Sequence, residues 1–572
     1  MNRKKIPIGV DDFTDFKQQG FYFVDKTGLI KELLGNGGKV NLFARPRRFG
    51  KSLNMSMLKC FFEIGTDKSL FDGLEISSEE KLCEEYMGQY PVISLSLKTV
   101  HAESQEMAMY ELGALIGKEA MRFHFLLDDD RLSKEEKKLY SQLIRVSNKA
   151  NGMFDLPETV ITGSLNTLSM LLHKYYEHKV IILIDEYDVP LAKANERGYY
   201  RKMVDIIRNM FDAGLKSNPH LEFAVLTGCL RVSKESIFTG LNNPKIYSML
   251  SGECSRWFGF TDAEVRDMLA YYGLSEYYDV TKEWYDGYRI GEANVYNPWD
   301  VINWCSQLLN SPDKSPKLYW ANSSGNEELK RFVRRMGNGV MKAELERLLS
   351  GQSVQKQIEE QLTYDTIYDS IENMWSLLYA TGYLTADGLP VGDTLRLRIP
   401  NLEVSYIFSR FILGMFQEKV AGDGQTVANL CSALKAGDAP EVERLFAGYL
   451  SKTVTIRDTA VPDDFKEQLY HGAMLGILAF KENWGVTSNG QSGDGYYDIL
   501  IEDEEDGIGI VIETKYAKKE QYDAACKKAL KQINEKNYTA ELREDDMHTI
   551  FKYGIACYRN RCRVVVEREE NL

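Results

Sequence analysis

Over the first 250 residues, short apolar runs alternate with helical stripes. The run "KVNLFA" (39–44) follows the turn "GNGG" and reads as a buried strand. The next segment, "SLNMSMLKCFFE", repeats apolar residues at Leu53, Met57 and Phe61, with Leu58 and Phe62 beside them, which is one face of a helix. "YPVISLSL" (90–97), "KVIILIDEYD" (179–188) and "LEFAVLTGCL" (221–230) are further strand-like runs, separated by helical segments such as "ESQEMAMYELGALIGKEAMRF" and "SLNTLSMLLHKYYEHK". Apolar strands separated by helices predict a mainly parallel sheet with helices on both faces.

From about Phe260 helical periodicity takes over. "TDAEVRDMLAYYGL" opens with Thr261 as a cap and Glu264 three residues on. The pattern is broken by the aromatic loop "EWYDGYRIGEANVYNPWDV", and "DTLRLRIPN" alternates like a strand able to form a hairpin with "GYLTADG". A third composition begins near Asp463: a helix, the strands "YYDILIED" and "GIGIVIETKY", the polar helix "DAACKKALKQINEKNY", and a closing strand in "FKYGIACYRNRCRVVVE". The expectation is an α/β multidomain chain: a parallel-sheet α/β domain over 1–258, a helical, lid-like or winged-helix-like region over 259–455, and a compact α/β unit over 456–572.

Composition narrows the class. A chain of 572 residues exceeds one core, and 44% hydrophobic with 27% charged residues is ordinary for a globular protein without large disordered regions. The net charge of −14 excludes general attraction to polyanions, so any nucleic-acid contact must rest on a local basic surface. The nine cysteines are scattered without a C-x-x-C pair, which predicts reduced, packed thiols and a cytoplasmic setting. The start "MNRKKIPIGVDDF" lacks the apolar core of a signal peptide, and no run approaches the ~20 apolar residues of a membrane span.

Two constellations carry chemistry. In "ARPRRFGKS", Gly50, Lys51 and Ser52 stand between a strand and a helix, where backbone amides and the helix N-terminus receive phosphates. Lys51 then serves the β and γ oxygens and Ser52 a magnesium ion. The first glycine of a phosphate-binding loop is Arg45 here and Pro46 stiffens it, so the stretch alone reads equally as a basic loop, with Arg45, Arg47 and Arg48 touching nucleic acid directly. Downstream, "IILIDEYD" ends an apolar strand in Asp185 and Glu186, a metal-holding carboxylate followed by one that can activate water. Thr227 closes the next strand, placed to sense the γ-phosphate, and Arg231 lies a few residues beyond. In the C-terminal unit, the strand period of two puts Glu513 and Lys515 of "IVIETKY" on one face with Thr514 on the other, and a hairpin brings Asp498 beside Glu513. Two carboxylates and a lysine suit metal-dependent phosphodiester cleavage.

The segments "FYFVDKTGLI", "ARPRRFGKSLNMSMLKCFF", "LFDGLEI", "LIDEYDVPL", "LTGCLRVSKESIFTGLNN" and "WYDGYRIGEANVYNPW" together resemble the AAA-ATPase-like family of bacterial proteins that carry a C-terminal PD-(D/E)XK nuclease-like domain. The resemblance implies that the missing first glycine is tolerated. It further implies ATP held at Gly50, Lys51, Ser52 and Asp185 with Glu186 as base, and Arg45 and Arg48 as charge around the phosphates. Asp498, Glu513 and Lys515 match the superfamily's Asp…Glu-x-Lys core, Glu467 its additional acidic residue, and Gln532 a glutamine on the following helix. The implied cofactors are ATP and magnesium, with manganese an alternative at the nuclease site. The implied partner is DNA, with no membrane and with homo-oligomerisation open. The competing reading keeps the ATP switch but has the nuclease-like domain bind nucleic acid without cutting.

Weaker signals have plainer readings. His173 and His178 are five apart and share no helix face, and His471 near Glu467 is read as structural. Trp284, Tyr285, Tyr288, Tyr296 and Trp299 read as a packed junction before a base-stacking surface. Glu502 to Asp506 read as a solvated turn, and Gly490, Gly493 and Gly495 as a loop near Asp498.

Overall fold

The computed structural model describes residues 3–146, 154–216, 218–230, 244–320, 327–334, 344–345, 347–349, 351–409, 411, 424–453, 463–478, 484–488, 491–492, 495–545 and 547–570. Arg231, Gly490 and Gly493 lie outside the described residues. The chain divides into two compact units, residues 1–325 with 355–403, and residues 326–354 with 404–572.

The first unit is built on five parallel strands, β1 (Val40–Ala44), β2 (Val92–Ser96), β3 (Val180–Asp185), β4 (Leu221–Gly228) and β5 (Lys245–Tyr247), in the order β2-β3-β4-β1-β5. Every residue of β1 and β3 is buried, as their unbroken apolar runs require when helices cover both faces. Helices Gln105–Met121, Glu158–Tyr176 and Tyr200–Phe211 supply Leu112, Ile116, Leu168, Leu172, Met203 and Ile207 to this core. Because β4 lies between β1 and β3, the end of β4 stands between the loop after β1 and the acidic end of β3.

The Thr261 cap forms as expected, with a reciprocal bond to Glu264 that starts helix Asp262–Tyr272. That helix and helix Pro298–Asn310 pack Val265, Leu269, Trp304 and Leu308 with Ile6, Tyr22 and Val24 from the start of the chain. The aromatic loop contains a short hairpin, Tyr288–Ile290 with Ala293–Tyr296. Gly287 (φ 96) permits it, since a Cβ there would stand 2.0 Å from the Pro400 carbonyl oxygen. The hairpin expected from "GYLTADG" and "DTLRLRIPN" forms between Thr385–Ala386 and Thr394–Arg398.

The second unit holds a five-stranded mixed sheet in the order Gly485–Ser488, Ile499–Asp503, Ile508–Tyr516, Thr549–Tyr558, Arg561–Glu570. Strands Ile508–Tyr516 and Thr549–Tyr558 are parallel, and helix Tyr522–Glu535 is part of the crossover such a pair requires. Helices Gly424–Ala436, Ala439–Thr453 and Asp463–Leu478 contribute Leu434, Phe446, Leu450, Met474 and Ile477 to its core.

Two features differ from expectation. The closing segment is two strands rather than one, because Tyr558 pairs with Arg561 across a two-residue turn and Arg559 takes φ 55. The helical region 259–455 is not one body. Its first helices bury their apolar faces with the N-terminal residues, while helices from residue 424 onward find theirs on the C-terminal sheet.

A buried acid pair lies in the first unit. Asp300, in the first turn of helix Pro298–Asn310, and Glu403 are both fully buried. Burial and the neighbouring carboxylate hold Asp300 well above the carboxylate range, and burial pushes Glu403 from 4.5 up to about 7. The pair therefore keeps a proton that the unfolded chain would release. Between about 4.5 and 7 the folded state binds more protons, so stability falls as pH rises through that window. Asp300→Asn keeps a donor for Glu403 without that proton. Its melting temperature is expected to match wild type near pH 4 and to exceed it by a few degrees at pH 8. Parallel wild-type and variant melting curves across pH would contradict this.

Candidate nucleotide and metal sites

In the first unit the site starts where β1 releases the chain. Arg45 does not join it. Its side chain is fully buried, and Nη1 donates to the carbonyls of Ala44, Tyr247 and Ser248 at 2.9, 2.6 and 2.8 Å. Its guanidinium lies 5.2 Å from the Phe258 ring. This corrects both the phosphate role and the nucleic-acid role expected of Arg45: a buried cation bound to three carbonyls faces no ligand. Burial lowers its pKa to about 10, still far above neutrality.

Beyond Pro46 the loop takes left-handed backbone at Arg48 (φ 70) and Gly50 (φ 77), then enters helix Lys51–Phe62. Lys51 is buried, and Nζ donates to the carbonyls of Pro46 and Arg45 at 3.0 and 3.2 Å and pairs with Glu186 at 3.3 Å. Burial opposes its charge, but Cys229 and the carboxylates of Glu186, Asp185 and Asp188 outweigh that, so the ammonium is held more tightly than usual. Of these, Cys229 is itself pushed up to about 12 by burial and stays a neutral thiol, which leaves the carboxylates as the partners that count.

Asp185 ends β3 and gathers two hydroxyls. Ser52 Oγ donates to Oδ2 at 2.6 Å, and Thr227 Oγ1 donates to Oδ1. Burial raises the Asp185 pKa against both bonds. A hydroxyl and a buried carboxylate in contact beside a phosphate loop form the donor set that a magnesium ion shares with phosphate oxygens. Glu186 takes left-handed backbone (φ 54), and its N–H donates to Thr227 Oγ1 at 3.3 Å. A cavity of about 510 Å³ opens here, lined by Arg48, Gly50, Lys51, Ser52, Glu186 and Trp299 among others.

Asp188 went unread in the sequence, although "DEYD" places it three residues past Asp185. It is buried, and Oδ2 accepts from the N–H groups of Cys229 and Leu230 at 2.9 and 3.0 Å, which fixes the turn after β4 to the end of β3. Of the aromatic group, Tyr285, Tyr288 and Tyr296 are core residues, whereas Trp299 lines the cavity with the Arg48 guanidinium 4.3 Å from its ring. His173 instead meets His220, Nδ1 to Nδ1 at 2.8 Å.

In the second unit, Glu513 and Lys515 project from one face of strand Ile508–Tyr516, both buried, with Lys515 Nζ 2.8 Å from Glu513 Oε1. Glu467, on helix Asp463–Leu478, accepts from Lys515 Nζ at 3.4 Å and from the Tyr516 N–H at 3.2 Å. Asp498 Oδ2 accepts from both the N–H and the Oγ1 of Thr514 at 2.7 Å, so Thr514, unassigned in the sequence, positions Asp498. Glu513 Oε2 is buried without a hydrogen-bond partner. Burial first, then the Asp498 charge, pushes the Glu513 pKa up to about 7. A carboxylate frustrated in this way fits a divalent cation, which supplies the missing positive charge. Among the described residues no group of three or more His, Cys, Asp or Glu side chains forms a closed metal cage. Two carboxylates, completed by water and substrate oxygens, are the pattern expected for magnesium.

The Gln532 Nε2 donates to the Tyr538 hydroxyl at 3.2 Å. His471, one turn beyond Glu467, has Nε2 2.9 Å from Ser488 Oγ, with Asp498 close enough to offset part of the burial that lowers its pKa.

Residues 7–238 match the family described as "Predicted AAA-ATPase", and residues 465–567 match the PD-(D/E)XK nuclease superfamily. The "Uncharacterized protein in vnfD 5'region" of Azotobacter chroococcum mcd 1 is 27% identical over 466 residues, covering 79% of this chain and 78% of that one. Among solved structures, the Aeropyrum pernix ORC2 protein (ADPNP-ADP complexes) aligns over 68% of this chain and 92% of its own at 11% identity and a TM-score of 0.25.

Proposed function

From an AAA-ATPase-like domain over residues 7–238 and a PD-(D/E)XK nuclease superfamily domain over residues 465–567, we propose an ATP-hydrolysing protein of the bacterial cytoplasm whose C-terminal domain cleaves DNA under nucleotide control. One observation carries the reading: each unit pairs a buried lysine with carboxylates at a phosphate-sized opening or a frustrated acidic pair. In the first unit these are Lys51 with Glu186 and Asp185, and in the second Lys515 with Glu513 and Asp498.

At the first site Ser52 and Asp185 would hold magnesium, which supplies positive charge to the phosphates. Gly50 and the helix N-terminus receive the β and γ oxygens, Lys51 neutralises them, and Thr227 fixes Asp185 and Glu186 relative to each other. Water oxygen bonds the γ-phosphorus as the bond to the β–γ bridging oxygen breaks. ADP keeps that electron pair, and one water proton passes to the Glu186 carboxylate. At the second site Asp498 and Glu513 would hold one or two magnesium ions, with manganese an alternative, supplying Lewis acidity. Lys515, oriented by Glu467, would support the attacking hydroxide and the charge that develops as the phosphodiester oxygen departs.

Calorimetric titration of magnesium and manganese into wild type and Asp498→Ala, with duplex DNA cleavage in parallel, tests the reading. Expected are metal binding lost at the C-terminal site in the variant and cleavage by wild type that responds to ATP. Metal binding without cleavage under any nucleotide state would reject the nuclease half and leave a nucleotide-regulated binding protein.

A further inference from the structure

Resting on the ATPase reading, we propose that Arg48 is the arginine that completes the hydrolytic site from within the same chain, so that no second copy need supply one. Hydrolysis loads negative charge onto the γ-phosphate oxygens and the β–γ bridging oxygen, and Lys51 alone provides one fixed cation against it. Several other cations line the cavity. Lys26 is bonded to Glu264 at 2.6 Å, Lys193 to Glu196 at 2.8 Å, and Lys98 pairs with Asp11 at 3.7 Å. Arg47 and Arg48 belong to the phosphate loop itself.

Backbone conformation singles out Arg48. Its φ of 70 is left-handed, which costs a residue with a Cβ roughly 1 kcal/mol or more. Arg47 is not among the described non-glycine residues of positive φ; of those, Arg48 and Glu186 are the two that line the cavity. The loop geometry does not need a side chain at 48, because glycine would hold the same turn at lower cost. The strain is spent on aiming the guanidinium.

The guanidinium is also held in place. It lies 4.3 Å from the centre of the Trp299 ring, within cation–π range. The ring's Nε1–H donates to the Tyr319 carbonyl at 3.4 Å, and the Trp299 backbone N–H is capped by Asn297 Oδ1 at 2.9 Å. Burial opposes the cation, and the Glu186 carboxylate supports it. A delocalised cation held over an aromatic face beside the attacking-water base is preorganised for charge that appears only in the transition state. In the reaction given above, Arg48 transfers no proton and forms no bond. It stabilises charge on the departing ADP and the γ oxygens.

The decisive variant is Arg48→Gly, which suits φ 70 and removes the whole side chain, guanidinium included. Expected are a kcat reduced about 100-fold or more, an ATP Kd within about threefold of wild type, and an unchanged or higher Tm. Arg48→Lys should recover part of the rate, because it restores charge without the planar fork. Wild-type turnover per chain should be constant on dilution. Normal turnover in Arg48→Gly overturns the proposal alone. So does recovery of turnover when Arg48→Gly is mixed with a Lys51→Met chain, since the arginine would then come from the second copy. Wild-type turnover no greater than that of Lys51→Met overturns the ATPase reading beneath it.

Discussion

Glu513→Gln is expected to lower metal-dependent DNA cleavage at least about 1,000-fold, about 4 kcal/mol in barrier, while ATP turnover stays within about twofold of wild type. The substitution preserves shape and strand packing in a residue that is 1% exposed. It removes the charge from the group whose Oε2 has no partner and whose Oε1 accepts from Lys515 at 2.8 Å. An amide nitrogen there would face either the cation or the lysine ammonium, and neither is acceptable. The measurement is single-turnover cleavage of labelled duplex with magnesium, beside phosphate release from ATP and circular dichroism for the fold. Cleavage at the wild-type rate would remove Glu513 from the site. Joint loss of cleavage and ATP turnover in a folded variant would mean the substitution acts on more than the C-terminal chemistry.

Lys51→Met is expected to weaken ATP binding about 100-fold or more and to stop hydrolysis, an effect of about 3 kcal/mol on the ground state alone. Methionine fills the stem's space but cannot meet phosphate. It leaves Glu186 without the cation 3.3 Å away and the Pro46 carbonyl without its 3.0 Å donor. Fluorescent-nucleotide titration and phosphate release give the two numbers separately. Unchanged affinity would return the loop to the reading in which its arginines touch nucleic acid directly. That reading already loses Arg45 to the interior. The pair of variants also tests control. If nucleotide state governs cleavage, Lys51→Met should cleave at one fixed rate whether or not ATP is present.

Much of the site was readable because its parts are local. Strand-period alternation put Glu513 and Lys515 on one face, and they meet. The apolar run ending in Asp185 and Glu186 and the loop ending in Gly50, Lys51 and Ser52 were each identifiable alone, and the contact between Ser52 and Asp185 is what joins them. What failed depended on direction rather than identity. Arg45 looks like its neighbours in a list of basic residues, yet the carbonyls of Tyr247 and Ser248, at and just past the end of β5, draw it inward. Asp188 was passed over because its partners, the N–H groups of residues 229 and 230, are some forty positions away in the chain.

Periodicity and turn chemistry in the amino-acid order determined the parallel sheet, the α/β tail, the Thr261 cap and the residue types available at both sites, since each follows from interactions among near neighbours. Only tertiary structure decided that β4 lies between β1 and β3, that Thr514 anchors Asp498, that the helices after residue 259 belong to two units, and that Arg48 rests on Trp299 while Arg45 is buried. Those outcomes depend on which distant surface a side chain meets. Burial and pairing with distant groups are long-range terms that a local pattern does not contain.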